Sequence, residues 1–326
     1  MYLNLKLRIM NIIKQLFTTA FLLATMIVFS QDFDELSRKQ TDSLINNLCL
    51  NLQNTYFDSL KANELSKVLN QKLKKEEFYN IKTDSLTKKL TSILRQSTKD
   101  IHFYVGRNIK TQNSDTIKEF PKVNFNGGFI EIKILRNNIG YIKWDRCIAN
   151  DEAFKKIKSA LIFLEGCDYL IFDISNNPGG DGRSSGFINQ HLYRDSTYQN
   201  LLLKRCVEEK EWYQSEVAYN YSDGPKLYDI PVYIITSKNT GSAAEYFAFI
   251  AQEMKRATIL GETTAGAGNP VTMVSFGDFF AYIPICEIKT YEGKSIEAKG
   301  VMPDVNLISK DWINETVEYI IKNNKK

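Results

Sequence analysis

The run YLIFDI, Tyr169 to Ile174, constrains the fold of this chain more than any other stretch. Four apolar residues in a row followed by Asp173 and Ile174 do not alternate as a half-exposed strand would. Such a run is buried on both faces, as in a parallel sheet covered by helices. PVYIIT ending at Thr236 has the same character, and the segment after Gly241 repeats apolar residues at helical spacing. GYIKW (Gly140 to Trp144) and ATIL from Ala257 add two more strands. Glu152 to Glu165 carries Phe154, Ile157, Leu161 and Leu164 on one helical stripe closed by Gly166, and a further helix is expected near Ser184 to Tyr193. This alternation predicts an α/β architecture: a mixed, mainly parallel sheet flanked by helices. Right-handed crossovers would then bring the strand ends to one sheet edge.

Two turns fall on that edge. After the Tyr169 strand stands NNPGG, Asn176 to Gly180, and after the Val232 strand stand Gly241 and Ser242. Asn, Pro and Gly are ordinary tight-turn residues. The same two glycines also let backbone N–H groups face a substrate carbonyl, which is half of an oxyanion hole. Ser242 has a similar double reading. With Glu245 three residues on it spells a capping box; equally, it presents a hydroxyl at a helix N-terminus beside free N–H groups. A serine at its free pKa is a poor nucleophile, so the second reading requires a base, an orienting acid and an oxyanion site elsewhere in the chain.

The remaining segments supply candidates. Residues 32 to 98 space their leucines and isoleucines helically with no glycine or proline, which predicts about three helices. STKDIHFYV, Ser97 to Val105, then turns strand-like and contains His102, one of two histidines. His191, on the helix after NNPGG, is the competing base. Asn113 to Phe129 reads as a loop or hairpin. Gly261 to Pro270 is glycine-rich but lacks the Gly-Lys-Ser/Thr ending of a phosphate loop. Strands at Thr272 to Phe276 and Phe279 to Ile285 form a hairpin over Gly277-Asp278. Glu292 to Val305 is a charged loop containing Glu297, and Asp311 to Lys326 is a helix. The stretch from Leu201 to Leu227 reads either as a lid over a substrate or as a plain surface excursion.

The N-terminal 30 residues differ from the rest. Lys14 precedes LFTTAFLLATMIVFS, an apolar run short for a bilayer span, with Val28 and Ser30 at the −3 and −1 positions of a cleavage site before Gln31. The expectation is a signal peptide over 1–30, and export to the periplasm or the extracellular space with no stable membrane anchor afterwards. An uncleaved anchor is the alternative. The formal charge of +4 contains Lys6, Arg8 and Lys14; without them 39 basic residues face 38 acidic ones, so no electrostatic case for nucleic acid survives. The five cysteines, Cys49, Cys147, Cys167, Cys206 and Cys286, match no metal-ligand spacing, and an odd count cannot all pair. An oxidising compartment allows one disulfide, with no pairing indicated. The expected division is 1–30 signal peptide, 31–98 helical bundle, 99–130 a linker with the histidine segment, and 131–326 the α/β core.

DISNNPGG, then TSKNTGSAAE with ATILGETTAG, then IEAKGVMPDV together resemble the C-terminal processing, or tail-specific, serine peptidases. The order and spacing fit over residues 130 to 308. The helical 32–98 region with KDIHF is similar to the branch that includes the tricorn core protease and the interphotoreceptor retinoid-binding protein modules. The resemblance implies a ClpP/crotonase-like core, serine-type peptidase activity on a peptide or protein substrate, and neither cofactor nor metal. It places the nucleophile at Ser242. The lysine base of the family's other branch would stand at Ala267, so a Ser-Lys dyad is not implied. The tricorn-like branch draws its base and its acid from segments that map onto His102 and Glu297. Its serine just before the histidine is Ile101 here, and Asp100 is available in its stead. The chain between His102 and the core is too short for a PDZ module.

The implied chemistry is acyl transfer: His102 takes the Ser242 proton, Glu297 orients the imidazolium, and the N–H groups of Gly179 or Gly180 with Ala243 hold the oxyanion. Three other readings stay open. The retinoid-binding branch implies a module for a lipid or small molecule, a decayed site implies an interaction or immunity protein, and an esterase would use the same machinery.

Overall fold

The computed structural model describes residues 35–108, 126–209, 211–214 and 223–324. The expected signal peptide, and residues 113–125 of the expected loop, lie outside them. Three helices come first: α1 (Arg38–Thr55), α2 (Ser59–Lys74) and α3 (Thr83–Thr98), followed by β1 (Tyr104–Arg107). The core then runs β2 (Phe129–Leu135), β3 (Ile139–Trp144), α4 (Asp151–Phe163), β4 (Tyr169–Asp173), α5 (Arg183–Leu192), β5 (Leu202–Cys206) and β6 (Tyr213–Gln214). It continues through β7 (Val232–Thr236), α6 (Ala243–Glu253), β8 (Ala257–Gly261), β9 (Val271–Phe276), β10 (Phe279–Pro284), β11 (Cys286–Thr290), β12 (Val305–Asn306) and α7 (Trp312–Asn323).

The central sheet has the order β12-β8-β7-β4-β3-β2, with all neighbours parallel except the β2–β3 pair. This is the mixed, mainly parallel sheet expected from the unbroken apolar runs. One face packs Ile142, Phe172, Ile234 and Ile259 against Ile157, Phe187 and Phe247 of α4, α5 and α6. The other packs Tyr141, Ile171, Tyr233 and Leu260 against Val317 and Ile320 of α7. Each fully buried aliphatic or aromatic side chain contributes on the order of 1.5–3 kcal/mol. Among the described residues no helix is long and apolar enough to cross a membrane.

The hairpin β9–β10 leaves the parallel sheet. It forms a separate antiparallel sheet with β1, and Phe276, Phe279, Ala281 and Ile283 share an apolar cluster with Leu48, Leu65 and Leu90 of the bundle and Phe103 of the histidine segment. The histidine segment is thereby fastened to the hairpin that follows the glycine-rich loop. A third sheet, β11-β5-β6, was not legible in the sequence. It incorporates part of the 201–227 stretch: β5 pairs with β11 along its whole length, and a Cys206–Cys286 disulfide joins them. Cys49, Cys147 and Cys167 are free and buried.

Candidate active site

The loops after β4, β7 and β8 meet at one edge of the central sheet and are tied together by hydrogen bonds to backbone carbonyls. Gly241 N–H donates to the Asn177 carbonyl at 2.9 Å, Thr240 Oγ1 donates to the Ile174 carbonyl at 2.8 Å, and Ala265 N–H donates to the Thr240 carbonyl at 2.9 Å. NNPGG is thus packed against the serine turn. Gly179 has φ +100°, and a Cβ there would lie 2.8 Å from the Ser242 Cβ and 2.6 Å from the Gly241 carbonyl oxygen, so only glycine fits. Gly180, with φ +137°, would collide with the Cys147 carbonyl at 2.2 Å.

Ser242 stands at the head of α6 with φ 52° and ψ −123°. A non-glycine residue in this region is strained, and such strain persists where the surroundings over-determine it, as on the sharp strand-to-helix turns that present nucleophiles. Glu245 supplies much of that determination. Its fully buried carboxylate accepts from Ser242 N–H at 2.8 Å, from Thr264 Oγ1 at 2.5 Å, from Gly266 N–H at 2.7 Å and from Ala267 N–H at 2.8 Å. The capping-box residue therefore also clamps the glycine-rich loop.

That loop is shared among three carboxylates. Beyond the three residues held by Glu245, Gly268 N–H and Asn269 N–H donate to Glu297 Oε2 at 2.8 and 2.9 Å. The Asn269 side chain donates to Asp100 Oδ2 at 2.9 Å. Asp100 in turn accepts through Oδ1 from the backbone N–H of His102 at 2.9 Å and lies 3.1 Å from its Nδ1. His102 Nε2 and Glu297 Oε1 are both buried with no hydrogen-bond partner. The acid in contact with the imidazole is therefore Asp100. Glu297 reaches the same cluster, with donor atoms of Asp100, His102 and Glu297 all within 4.8 Å of one another, but no described hydrogen bond joins it to the ring.

Burial, and then the neighbouring Asp100 carboxylate, push the Glu297 carboxyl up from 4.5 to about 7, against the opposing pull of Gly268 N–H and His102. This cluster is also the one group of carboxylate and imidazole atoms among the described residues close enough to surround a cation. Both Asp100 oxygens and Glu297 Oε2 are already taken by N–H donors, however, which leaves two open ligand atoms, fewer than a metal centre normally takes from protein.

Ser242 opens onto a cleft of about 440 Å³ whose lining includes Gly180, Ala243, Tyr246, Leu202, Ile288 and Gly268. Gly268 thus belongs both to the wall beside the serine and to the Glu297 contact. No described hydrogen bond links His102 to Ser242 itself, and apo geometry is commonly looser than that of the loaded enzyme. Of the two glycines expected to donate to an oxyanion, Gly179 has its N–H engaged by Asn177 Oδ1 at 2.9 Å. Gly180 N–H and Ala243 N–H carry no described bond. His191, the competing base, is buried elsewhere: its Nδ1 meets the Pro225 carbonyl at 3.0 Å, Gly224 closes over its ring, and burial lowers its pKa. Ala267 carries no lysine but spends its N–H on Glu245.

Sequence reasoning passed over Asn269 and the bracing role of Glu245. Nothing in a glycine-rich loop marks its one asparagine side chain as a donor to a distant carboxylate, and for Glu245 the Ser-x-x-Glu spacing signals only a cap.

The sequence pattern of peptidase family S41 matches residues 138–307. A carboxyl-terminal-processing protease of Synechocystis sp. is 29% identical over 170 residues, covering 51% of this chain and 37% of that protein. The carboxy-terminal processing protease CtpA of Bacillus subtilis is 25% identical over 181 residues, covering 54% of this chain and 36% of that protein. The chain thus spans little more than a third of the length of these relatives. In fold it is similar to a solved structure from Parabacteroides merdae, with a TM-score of 0.59 at 16% identity, covering 86% of this chain and 95% of that one.

Proposed function

The chain belongs to peptidase family S41, and on that premise we propose that it is an exported serine endopeptidase working through an acyl-enzyme at Ser242. The observation that carries the reading is the Ser242 turn: a strained non-glycine backbone at a helix N-terminus, with Gly180 and Ala243 beside it in one cleft. Ser242 Oγ attacks the scissile carbonyl, and its proton passes to His102 Nε2, the unpartnered ring nitrogen. Asp100 keeps the proton on Nδ1 and carries the charge opposite the imidazolium, the place that the family resemblance gives to Glu297. Glu297 backs the pair from the Gly268–Asn269 side. The N–H groups of Gly180 and Ala243 face the developing oxyanion. His102 then returns the proton to the leaving amine, and water releases the acyl group by the same steps in reverse.

The test is covalent labelling with a fluorophosphonate, which needs an activated hydroxyl and not the fold alone. Labelling of the wild type that vanishes in Ser242→Ala and His102→Ala, with circular dichroism unchanged, is the expected result. A folded wild type that does not label would overturn the peptidase reading and direct attention to a module that binds its ligand in the cleft without cleaving it.

A further inference from the structure

β2 forms one outer edge of the central sheet, with β3 on one side and no described strand on the other. Its sequence is FIEIKIL. Ile130, Ile132 and Ile134 are 61%, 39% and 50% exposed, an unusual outlay of β-branched apolar surface on an unpaired edge. Ile130 and Ile132 line a groove of about 440 Å³ whose walls include Phe129, Ala160 and the exposed Phe163 of α4. Nothing in the proposed catalytic machinery touches this face.

We propose that this edge is a two-fold interface at which β2 pairs antiparallel with β2 of a second copy of the chain, centred on Ile132. The choice of occupant rests on charge. Opposed residues in an antiparallel pair must face the same side of the sheet, so a two-fold axis passes beside one residue and not between two. Centring on Glu131 places two carboxylates opposite each other, and centring on Lys133 opposes two ammonium groups; both are destabilising. Centring on Ile132 places Glu131 of each copy opposite Lys133 of the other, twice, with Ile132 against Ile132; the β-bulge between Phe129 and Glu131 ends the regular pairing at Ile130, so the joined ladder is short. Within one copy Glu131 and Lys133 already pair at 2.9 Å, on the sheet face where Lys133 also covers the Tyr141 ring at 4.8 Å. A lone lysine on an edge guards it against pairing. Glu131 two residues earlier cancels that guard in this one register. The apolar face of the joined strands is then flanked by α4 from both copies, whose exposed Phe163 lines the same groove.

The experiment is sedimentation velocity on the full chain at tens of micromolar, comparing the wild type with Glu131→Lys, Lys133→Glu and the double exchange. The wild type is expected to be dimeric, and each single variant to dissociate at least about tenfold more weakly held, because both cross-pairs turn repulsive. The double exchange should restore the dimer. An equimolar mixture of the two single variants should form a heterodimer, because each then presents one sign along the edge. A monomeric wild type would overturn the proposal and point to the chain's own residues 109–125, or a different protein, as the cover. A dimer indifferent to these exchanges would overturn it equally, by placing the interface elsewhere. Glu131 is exposed and Lys133 half-exposed, so thermal melts should show all three variants folded.

Discussion

Asp100 Oδ1 receives both the backbone N–H and the ring Nδ1 of His102, at 2.9 and 3.1 Å, while its other oxygen is held by the Asn269 side chain. One buried carboxylate therefore fixes the position, the rotamer and the tautomer of the proposed base. The local cause is the left-handed turn at Lys99, φ 65°, which ends α3 and folds residues 100 to 102 back on themselves. Arg95 Nε on the Phe103 carbonyl at 2.7 Å and Thr91 Oγ1 under Val105 N–H at 2.9 Å then lock the segment to α3.

From this contact, Asp100→Asn is expected to slow fluorophosphonate labelling by about a hundredfold or more without unfolding the protein. The amide keeps the shape but not the charge, and it lets the imidazole adopt the wrong tautomer. Glu297→Gln should cost less, because its hydrogen bonds go to Gly268 and Asn269 and not to the ring. Second-order labelling rates of the three proteins, compared under one set of conditions, read this directly. A larger loss in Glu297→Gln than in Asp100→Asn would return the orienting role to Glu297.

Stability should also report on Glu297. Its carboxyl titrates near 7 in the folded chain against an ordinary 4.5, so between those values the native state holds a proton that the unfolded state has released. Stability from this group is thus greatest below 4.5 and falls as pH rises through 7. The difference amounts to at most about 3 kcal/mol. Glu297→Gln, which keeps an acceptor for the two backbone donors, should match the wild type in urea melts at about pH 5 and exceed it at about pH 8. Parallel pH dependence in the two proteins would mean that the proton is not linked to folding.

The division between what the sequence shows and what it hides follows from range and periodicity. Tyr169–Ile174 and Val232–Thr236 were legible because a strand buried on both faces needs no partner to be recognised. Ser242 and the NNPGG turn were legible because crossover handedness places them on one edge. β5 was not, since LLKRC neither alternates cleanly nor runs apolar, and its partner β11 lies far along the chain. The two-residue β12 is too short to leave a pattern. His102 was legible as one of only two histidines, while the roles of His102 and Glu297 together came through the family resemblance. The Asp100 contact depends on a single positive φ at Lys99, which no composition signals.

Glu245 should prove structurally costly to remove. Glu245→Ala leaves Ser242 N–H, Gly266 N–H, Ala267 N–H and the Thr264 hydroxyl without their buried acceptor, a loss of about 3–5 kcal/mol. Urea denaturation gives the number. A variant within about 1 kcal/mol of the wild type would mean that water or loop rearrangement satisfies those donors.

The Cys206–Cys286 disulfide joins the two strands that carry Leu202, Lys204 and Ile288 into the cleft wall. Side chains two apart on a strand share a face, so both half-cystines lie on the same side of their strands as these lining residues. The bond closes a loop with a sequence separation of 80 residues, which restricts the unfolded chain by about 4 kcal/mol in the loop-entropy account. Cys206→Ser with Cys286→Ser should therefore lower the melting temperature by ~10 °C, and dithiothreitol should bring the wild type to the same value. The buried Cys49, Cys147 and Cys167 should leave that shift untouched when replaced by alanine, apart from the smaller cost of lost packing. Calorimetry with and without reductant, beside peptide mapping for the crosslinked pair, checks both statements. A wild type that neither yields the linked peptides nor responds to reductant would leave β5 and β11 joined by their backbone ladder alone.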